Sequence, residues 1–180
     1  TFDVAVHRYK SVSIIEFEPS DNQAPLPLDL ARTMIGRISS INTVDKLLRV
    51  TSRLVQGLFH YDRVMVYQLM HDGAGKVVSE SKQPELESFL GQYFPASDIP
   101  QQARQLYLRN TIRIISDANF KPIPINPVFD ASGEPLDLSF AHLRSVSPIH
   151  CEYLRNMGVG ASMSISIIVD GELWGLIACH

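Results

Sequence analysis

Apolar and polar positions alternate in several segments of the chain, and this period of two predicts β-strands. The alternation is clearest from Ala161 to Val169, where three serines occupy the positions between the apolar residues. Asp170-Gly171 then predicts a tight hairpin turn into a return strand from Glu172 to Cys179. Shorter strands are predicted for residues 12–18, 63–70, 76–81 and 112–115.

Other segments place apolar residues at spacings of three and four, which predicts helices. This pattern is strongest from Val44 to Phe59, and Asn42 followed by Asp45 is a helix-start signal just before it. Further helices are predicted for Leu30–Ile38 and Gln101–Arg109. Because hairpins dominate and helices lie between the strands, the fold class predicted is α+β, with an antiparallel sheet flanked by helices.

A fourth helix is predicted near the C-terminal hairpin, with Ser147 as N-cap, Pro148 at the first helical position and Gly158 as the stop. His150 and Cys151 then lie in or just after the first turn, where the helix dipole biases a thiol towards thiolate. A reactive cysteine is one reading, and a buried thiol beside a core histidine is the other. Adjacent helix residues do not face each other, which argues against a cysteine hydrolase.

The composition is that of an ordinary globular domain. The 180 residues are 45% hydrophobic and 19% charged, which provides enough apolar material for a sizeable core. The formal net charge of −3 gives no electrostatic case for nucleic acid or an anionic membrane as a partner. No apolar run approaches the length of a membrane span, and the first residues do not open a signal peptide.

The two cysteines do not make a disulfide framework, which predicts a reducing, cytoplasmic environment. No histidine and cysteine spacing fits a zinc site, and no phosphate-binding loop or nucleophile motif occurs. We therefore expect neither an enzyme nor a metal site. The chain begins within an alternating stretch and ends directly after a predicted strand, so we expect it to be an excerpt of a longer protein.

Several polar residues are candidates for ligand binding. The serine face of the 161–169 strand suits either a pocket wall or a solvent-facing strand, and the sequence leaves both open. Arg113 and Arg144 each lie between apolar neighbours, and two guanidinium groups directed into a cavity would bind carboxylates or phosphates. Asp98 lies in the Pro-constrained segment FPASDIP, where it is equally well explained as a turn or cap residue before Pro100.

Three long motifs, FPASDIP, LRSVSPIHCEYLRNMGVGASMSISI and LWGLIACH, occur in this order and resemble the GAF domain of phytochromes. The similarity runs from residue 2 to residue 180, and residues 2–19 resemble the last strand of the PAS domain that precedes it. The resemblance implies that residues 1–20 end a PAS domain. It also implies that residues 21–180 form a GAF domain truncated at its C-terminus.

By this resemblance, the domain holds a linear tetrapyrrole, a bilin, and senses red and far-red light by isomerising its C15=C16 double bond. Asp98 would offer its backbone carbonyl to the pyrrole nitrogens, and His150 would stack on the rings. Arg113 and Arg144 would hold the B-ring propionate. The other implied contacts are Tyr107 near that propionate, Ser162 and Ser164 at the C-ring propionate, Tyr67, Phe94 and Tyr153 around ring D, and His180 at its carbonyl, with Ile99 and Ser147 completing the set.

The position before the histidine distinguishes bilin classes. Plant and cyanobacterial members carry the ring-A cysteine there, whereas this chain has Ile149, and it therefore resembles the bacterial branch. That branch uses biliverdin attached to a cysteine in an N-terminal extension that this sequence lacks. Here Cys151 follows His150, as in engineered near-infrared fluorescent proteins of this branch, and a thioether to the ring-A vinyl group is implied. Cys179 is expected to be a core thiol.

Three functions stay open at this point: a photoreceptor domain, an engineered fluorescent protein on the same scaffold, and a GAF module for a cyclic nucleotide or another small effector. The expected partners are the bilin, the missing PAS and output domains such as a histidine kinase, and a second copy bound through the helices.

The C-terminal hairpin gives a test of the implied pocket. A strict two-residue turn at Asp170-Gly171 would place His180 opposite Ala161 and turn it away from the serines. The implied pocket needs His180 and the serines on one face of the sheet. We therefore expect a longer or bulged turn.

Overall fold

The computed structural model describes residues 1–20, 27–130 and 132–180. A short 3-10 helix, Ala96–Asp98, precedes the third α-helix. The other elements, in chain order, are β1 Phe2–Tyr9, β2 Val12–Pro19, α1 Pro27–Ile38, α2 Val44–Phe59, β3 Arg63–Leu69, β4 Gly75–Lys82, β5 Tyr93–Phe94, α3 Gln101–Arg109, β6 Ile112–Ile115, α4 Pro148–Asn156, β7 Ser162–Val169 and β8 Glu172–Cys179.

The chain divides into two compact units, the first from residues 1–23 and 114–161 and the second from residues 24–113 and 162–180. The first unit contains the antiparallel hairpin of β1 and β2, whose ends pair Phe2 with Pro19 and Tyr9 with Val12. Residues 2–19 were predicted to resemble one final PAS strand, whereas the structure has two strands there, β1 and β2. The division at residue 20 remains a prediction, and residues 21–26, directly after it, lie outside the described residues.

The more apolar face of this hairpin is exposed, and its buried face carries a glutamate. Glu16 and the half-buried residues around it face one side, whereas the more apolar side is exposed. The exposed apolar side chains are Phe2, Val4, Val6, Ile15 and Phe17. Alternation therefore identified a strand correctly but did not identify its buried face, because burial depends on what packs against the strand.

The second unit is built on a six-stranded antiparallel sheet in the order β5-β4-β3-β8-β7-β6. One face packs against α2 in a core of Val55, Val64, Met163, Ile177 and Cys179. The other face meets α3, because Ser166 on β7 donates a hydrogen bond to the backbone carbonyl of Tyr107 at 2.7 Å. The predicted α+β class, with an antiparallel sheet flanked by helices, is confirmed.

A pair of serines is buried in this core. The hydroxyl groups of Ser52 on α2 and Ser79 on β4 lie 3.1 Å apart, and both residues are almost fully buried. Ser52 also donates to the backbone carbonyl of Arg49. Each buried hydroxyl is therefore satisfied, and the pair links the helix to the sheet at one fixed point.

The β7–β8 hairpin differs from the prediction in an instructive way. Val169 pairs with Glu172, so the turn at Asp170-Gly171 has two residues; the expected longer turn is wrong, and the expected bulge lies further along the hairpin. The register shifts further along, where Ile168 pairs with Leu173 but Ile167 pairs with Gly175. Trp174 is the extra residue of a β-bulge. Positive φ angles of 51° at Asp170 and 81° at Gly171 allow the tight turn that precedes it.

Two smaller details of the sequence prediction are corrected. The N-cap of α2 is Thr43, with extended φ and ψ of −130° and 141°, and not Asn42. No strand was predicted between Lys82 and Pro100, but this stretch contains β5, which is only two residues long. Such a short edge strand leaves little periodic signal in a sequence. No described helix is long and apolar enough to cross a membrane.

We predict opposite effects for two glycine-to-alanine changes. A Cβ atom at Gly175 would lie 2.3 Å from the backbone oxygen of Tyr67, so Gly175→Ala forces two paired strands apart. We expect a loss of about 2 kcal/mol in the free energy of unfolding. Gly57, in the last turn of α2, has no atom within 4 Å of the added carbon. Gly57→Ala is the matched control and should stabilise by about 1 kcal/mol.

The measurement is denaturant-induced unfolding of both variants and the wild-type protein, followed by circular dichroism. Equal stability of Gly175→Ala and wild type would contradict the close approach of β3 and β8 at this position.

Candidate functional site

The residues predicted to bind a ligand are divided between the two units. The second unit carries nine of them: Tyr67, Phe94, Asp98, Ile99, Tyr107, Arg113, Ser162, Ser164 and His180. The first unit carries five: Arg144, Ser147, His150, Cys151 and Tyr153. Each set has its own geometry.

An aromatic cluster lies at one end of the sheet in the second unit. The ring centroids of Tyr67 on β3 and Phe94 on β5 are 5.9 Å apart, and that of Phe89 is 6.2 Å from Phe94. The Tyr67 ring lies directly over Gly75, where a Cβ atom would come within 1.7 Å of it. The missing side chain of Gly75 therefore makes room for the ring. The structure brings Tyr67 and Phe94 together, as the resemblance implied.

The segment that carries Asp98 is held in place by Arg104 on α3. The Nε atom of Arg104 donates to the backbone carbonyl of Ile99 at 2.8 Å, and its Nη2 atom donates to the carbonyl of Gly73. Asp98 itself closes the 3-10 turn through its N–H and the carbonyl of Pro95. One guanidinium thus ties the FPASDIP segment to the β3–β4 turn.

Arg104 was not among the residues predicted to bind or position a ligand. Its only signal is its position on the predicted helix, five residues after Ile99. A cation on a helix is normally solvated, so this position alone does not reveal that the side chain joins two backbone segments.

These groups also affect one another electrostatically. Burial and, to a smaller extent, the nearby Asp98 raise the pKa of Tyr67, Arg104 lowers it, and together they bring it to about 12. The Tyr67 hydroxyl is therefore neutral over the physiological range. It can donate a hydrogen bond to a ligand carbonyl or carboxylate at any such pH.

The serine face of β7 is a covered surface and not a solvent-facing one. Ser162 is only 7% exposed and Ser164 is half-buried. Ser166 is tied to the carbonyl of Tyr107, which fixes the end of α3 against this strand. The solvent-facing reading is therefore wrong for Ser162.

The bulge at Trp174 sets which residues share this face. Beyond it Met163 pairs with Cys179 and Ser164 with Ala178, and continuing the register by one residue aligns Ser162 with His180. Aligned residues of antiparallel strands point to the same side of the sheet. His180 and the serines therefore share one face, as the implied pocket requires.

Arg113 and His180 lie at different places in the sheet: Arg113 is on an edge strand, and His180 directly follows the central strand β8. Arg113 lies on the edge strand β6, half-buried, with its Nη1 atom shielded from solvent. His180 exchanges both backbone hydrogen bonds with Arg63, at 2.9 and 2.8 Å. The backbone of His180 is thus paired on both sides of the residue, which limits the positions that its side chain can reach.

In the first unit, α4 presents the histidine and the cysteine. The helix begins after Ser147 as predicted, although the Ser147 hydroxyl makes no capping hydrogen bond, and Pro148 is in the first turn. The N–H of Cys151 donates to the carbonyl of Ser147 at 3.1 Å. The rings of His150 and Tyr153 are stacked, with centroids 6.3 Å apart and planes 13° from parallel. This pair offers a flat aromatic surface.

The two cysteines have different surroundings. Cys179 is fully buried in the core of the second unit, and burial raises the pKa of its thiol to about 12. The prediction of a core thiol is confirmed. Cys151 is only 4% exposed, whereas Ile149, two residues earlier on the same helix, is 79% exposed. Both cysteines are free thiols.

Arg144 lies in an irregular segment that is organised by a residue the sequence analysis missed. The carboxylate of Glu16 on β2 accepts hydrogen bonds from the N–H groups of His142 and Leu143, at 3.0 and 2.7 Å. Burial alone would raise the pKa of Glu16, but these hydrogen bonds and neighbouring histidines lower it overall. Arg144 donates through Nη1 to the carbonyl of Ala141. Burial lowers the pKa of Arg144, and the charge of Glu16 partly offsets this effect.

Comparison with known proteins defines the family. The sequence model of the GAF domain matches residues 43–180, more than two thirds of the chain. The chain belongs to the GAF domain family.

The relatives of this GAF domain are phytochromes. It is 49% identical over 183 residues to a bacteriophytochrome of Pseudomonas aeruginosa, covering 99% of the chain and 25% of that protein. It is 43% identical over 185 residues to cyanobacterial phytochrome B of a Nostoc species, covering the whole chain and again 25% of the relative. The GAF domain thus spans about a quarter of the length of these relatives.

A solved structure gives the same result. The chromophore-binding domain of a Stigmatella aurantiaca bacteriophytochrome is similar, with a TM-score of 0.92 at 43% identity, over 99% of this chain and 60% of that one. Among the described residues of the GAF domain, no group of three or more histidine, cysteine or acidic side chains is placed to hold a metal ion.

The raised pKa of Tyr67 predicts a specific loss of stability at alkaline pH. The unfolded chain ionises tyrosine near pH 10, whereas native Tyr67 ionises at about 12. Its contribution to stability is therefore fully present below about pH 10 and is lost as the pH rises to about 12. We expect Tyr67→Phe to lose less stability than wild type across that window, measured by urea unfolding at a series of pH values.

Tyr93→Phe, which removes the hydroxyl group of an exposed tyrosine on β5 of the same sheet, is the matched control. Identical alkaline profiles for Tyr67→Phe and wild type would show that the Tyr67 hydroxyl is not buried as described.

Proposed function

We propose that this GAF domain binds a bilin and serves as the red and far-red light-sensing domain of a bacteriophytochrome-type photoreceptor. The observation that carries the proposal is the similarity over almost the whole chain to a bacteriophytochrome, at 49% identity. The match to a chromophore-binding domain at a TM-score of 0.92 supports it. The domain would not itself be an enzyme, and it would work in the cytoplasm.

The side chains present fit such a ligand chemically. A bilin has two propionates and a flat conjugated system. Arg113 and Arg144 suit carboxylates, and hydroxyl groups at Ser162 and Ser164 suit a second anion. The stacked His150–Tyr153 pair and the Tyr67–Phe94 pair suit flat apolar rings.

When bound, the bilin would supply light absorption and isomerisation of its C15=C16 double bond. The residues of this chain would bind and orient it. Arg104 holds the Asp98 segment rigid through the Ile99 carbonyl, so the backbone carbonyl of Asp98 would be presented to the pyrrole nitrogens at little entropic cost. Tyr67 stays protonated because burial raises its pKa to about 12, so its hydroxyl would remain a donor beside ring D.

We propose biliverdin as the bilin and Cys151 as its attachment point. Ile149 stands in the place of the ring-A cysteine of plant and cyanobacterial members, which leaves biliverdin as the preferred ligand. In the proposed attachment the thiol adds across the ring-A vinyl group. A C–S bond forms, the thiol proton goes to carbon, and no oxidant is needed. Cys179 is unsuitable because burial raises its pKa to about 12.

The proposal extends to the parts of the protein beyond this domain. The exposed apolar face of the β1–β2 hairpin supports its assignment to a preceding PAS domain. Exposed apolar residues on α1 and α2, Leu28, Ile35, Val44 and Phe59, support a homodimer formed through helices. Following domains, such as a histidine kinase, would carry the light signal to an output.

Mixing the protein with biliverdin tests the function directly. We expect a strong red absorption band to appear, and red light to convert it to a far-red-absorbing form. His150→Ala, which removes one ring of the stacked pair, should weaken the band and shift its maximum. Absorption spectroscopy before and after illumination is the measurement.

A colourless mixture would refute bilin binding and would favour a GAF module for another small effector, such as a cyclic nucleotide. A coloured protein that fluoresces strongly in the near infrared and does not photoconvert would favour the second candidate, an engineered fluorescent protein. The observation that favours this candidate is Cys151, which stands directly after His150.

The covalent link has its own test. We expect Cys151→Ser to abolish zinc-induced bilin fluorescence on a denaturing gel, because noncovalent bilin is lost there, while still binding biliverdin in solution. Cys179→Ser is the matched control and should keep the fluorescent band. A band that survives in Cys151→Ser and disappears in Cys179→Ser would reverse the assignment.

A further inference from the structure

The contacts of Glu16 point to a role beyond the stability of the hairpin. Its side chain is only 7% exposed, and its two carboxylate oxygens accept hydrogen bonds from two consecutive backbone N–H groups, those of His142 and Leu143. The next residue along the chain is Arg144. The carboxylate therefore fixes, by hydrogen bonds, the backbone immediately before Arg144, the arginine proposed to bind a propionate.

We propose that Glu16 is a positioning residue for Arg144: by fixing residues 142 and 143, it holds the guanidinium in the orientation that binds a carboxylate of the ligand. This inference rests on the proposed function, in which that carboxylate is a bilin propionate. It assigns a role in ligand binding to a residue on the β1–β2 hairpin, far from the bilin-binding motifs in sequence.

The chemistry of a carboxylate suits this task. Residues 142 and 143 lie outside helices and strands, so their N–H groups need acceptors other than a regular ladder. A carboxylate provides two acceptor oxygens, one for each N–H group, and its charge strengthens both bonds. A glutamine in the same place would offer one acceptor oxygen, and its amide nitrogen would face the second N–H group.

A fixed backbone matters for an arginine in particular. Guanidinium binds a carboxylate through two parallel hydrogen bonds, which demands a defined orientation, and its long side chain loses much rotational freedom on binding. The bond from Arg144 Nη1 to the carbonyl of Ala141 folds the side chain back onto the same short segment. Part of the entropic cost of binding is therefore met before the ligand arrives.

The charge of Glu16 acts in the opposite direction, since a negative charge near Arg144 repels an anionic ligand. This repulsion is moderated, because both oxygens already accept hydrogen bonds and His7 Nδ1 lies 3.9 Å from Oε1. We therefore expect the positioning effect to dominate. The two effects predict opposite outcomes for removal of the charge, so they can be distinguished.

The test uses Glu16→Gln, which keeps the size and loses the charge and one acceptor, and Glu16→Asp, which keeps the charge and loses reach. Glu18→Gln, at an exposed site on the same strand, is the matched control. Biliverdin affinity is measured by absorbance titration in both the wild-type and the Arg144→Gln backgrounds. We expect both Glu16 variants to weaken binding about tenfold with Arg144 present and to have no effect with Arg144→Gln.

Tighter binding by Glu16→Gln would show that charge repulsion dominates, and would overturn the inference. Equal weakening in both backgrounds would overturn it as well, because it would indicate a general loss of structure. If wild type and Glu18→Gln both fail to bind biliverdin, the proposed function fails and this inference fails with it. Normal wild-type binding with unaffected Glu16 variants refutes this inference alone.

If neither Glu16 variant folds, amide hydrogen exchange of the wild-type protein decides the question. Slow exchange of the His142 and Leu143 amides without ligand, and slower exchange with biliverdin, supports hydrogen bonds to Glu16 that are formed before the ligand binds. Exchange as fast as in an exposed loop would overturn it.

Discussion

The register between β7 and β8 is the constraint on which the arrangement of the GAF sheet depends. One extra residue, Trp174, separates the pairing near the turn from the pairing further along. Beyond it, Met163 and Cys179 face α2 and form the core, while the serines and His180 share the face that meets α3. Because side chains alternate along a strand, removal of the bulge would exchange these faces along β7. The core face and the face that carries the serines and His180 are therefore set by the same residue.

A second theme is that charged side chains hold the irregular segments. Arg104 donates hydrogen bonds to the carbonyls of Ile99 and Gly73. Glu16 accepts hydrogen bonds from the two backbone N–H groups that precede Arg144. Arg63 donates a hydrogen bond to the carbonyl of Glu87, and its guanidinium carbon lies 3.8 Å from the centroid of the Phe89 ring. Arg155 donates a hydrogen bond to the carbonyl of Ala118. Segments without ladder hydrogen bonds satisfy their backbone groups in this way. Local rigidity then does not require regular secondary structure.

The sequence was most informative where a long periodic pattern met a clear boundary. The limits of α2, α3, β6 and β8 were predicted to the residue, and His150 and Cys151 were correctly placed early in a short helix. The bulge at Trp174 was not located, because its only signal was a conflict between the turn and the implied pocket. Glu16 and Arg104 were missed for a different reason: their partners are backbone atoms, most of them distant in sequence, which residue types do not reveal.

The division of the first unit between residues 1–23 and 114–161 bears on how the chain folds. The hydrogen bonds of Glu16 join residues 126 and 127 positions apart. During synthesis the hairpin emerges first, and its buried carboxylate lacks these partners until most of the chain has been translated. Such distant contacts must overcome a large loop-closure entropy, which slows folding. We therefore expect the segment that carries Arg144 to reach its native conformation late, after the local hairpins and helices have formed.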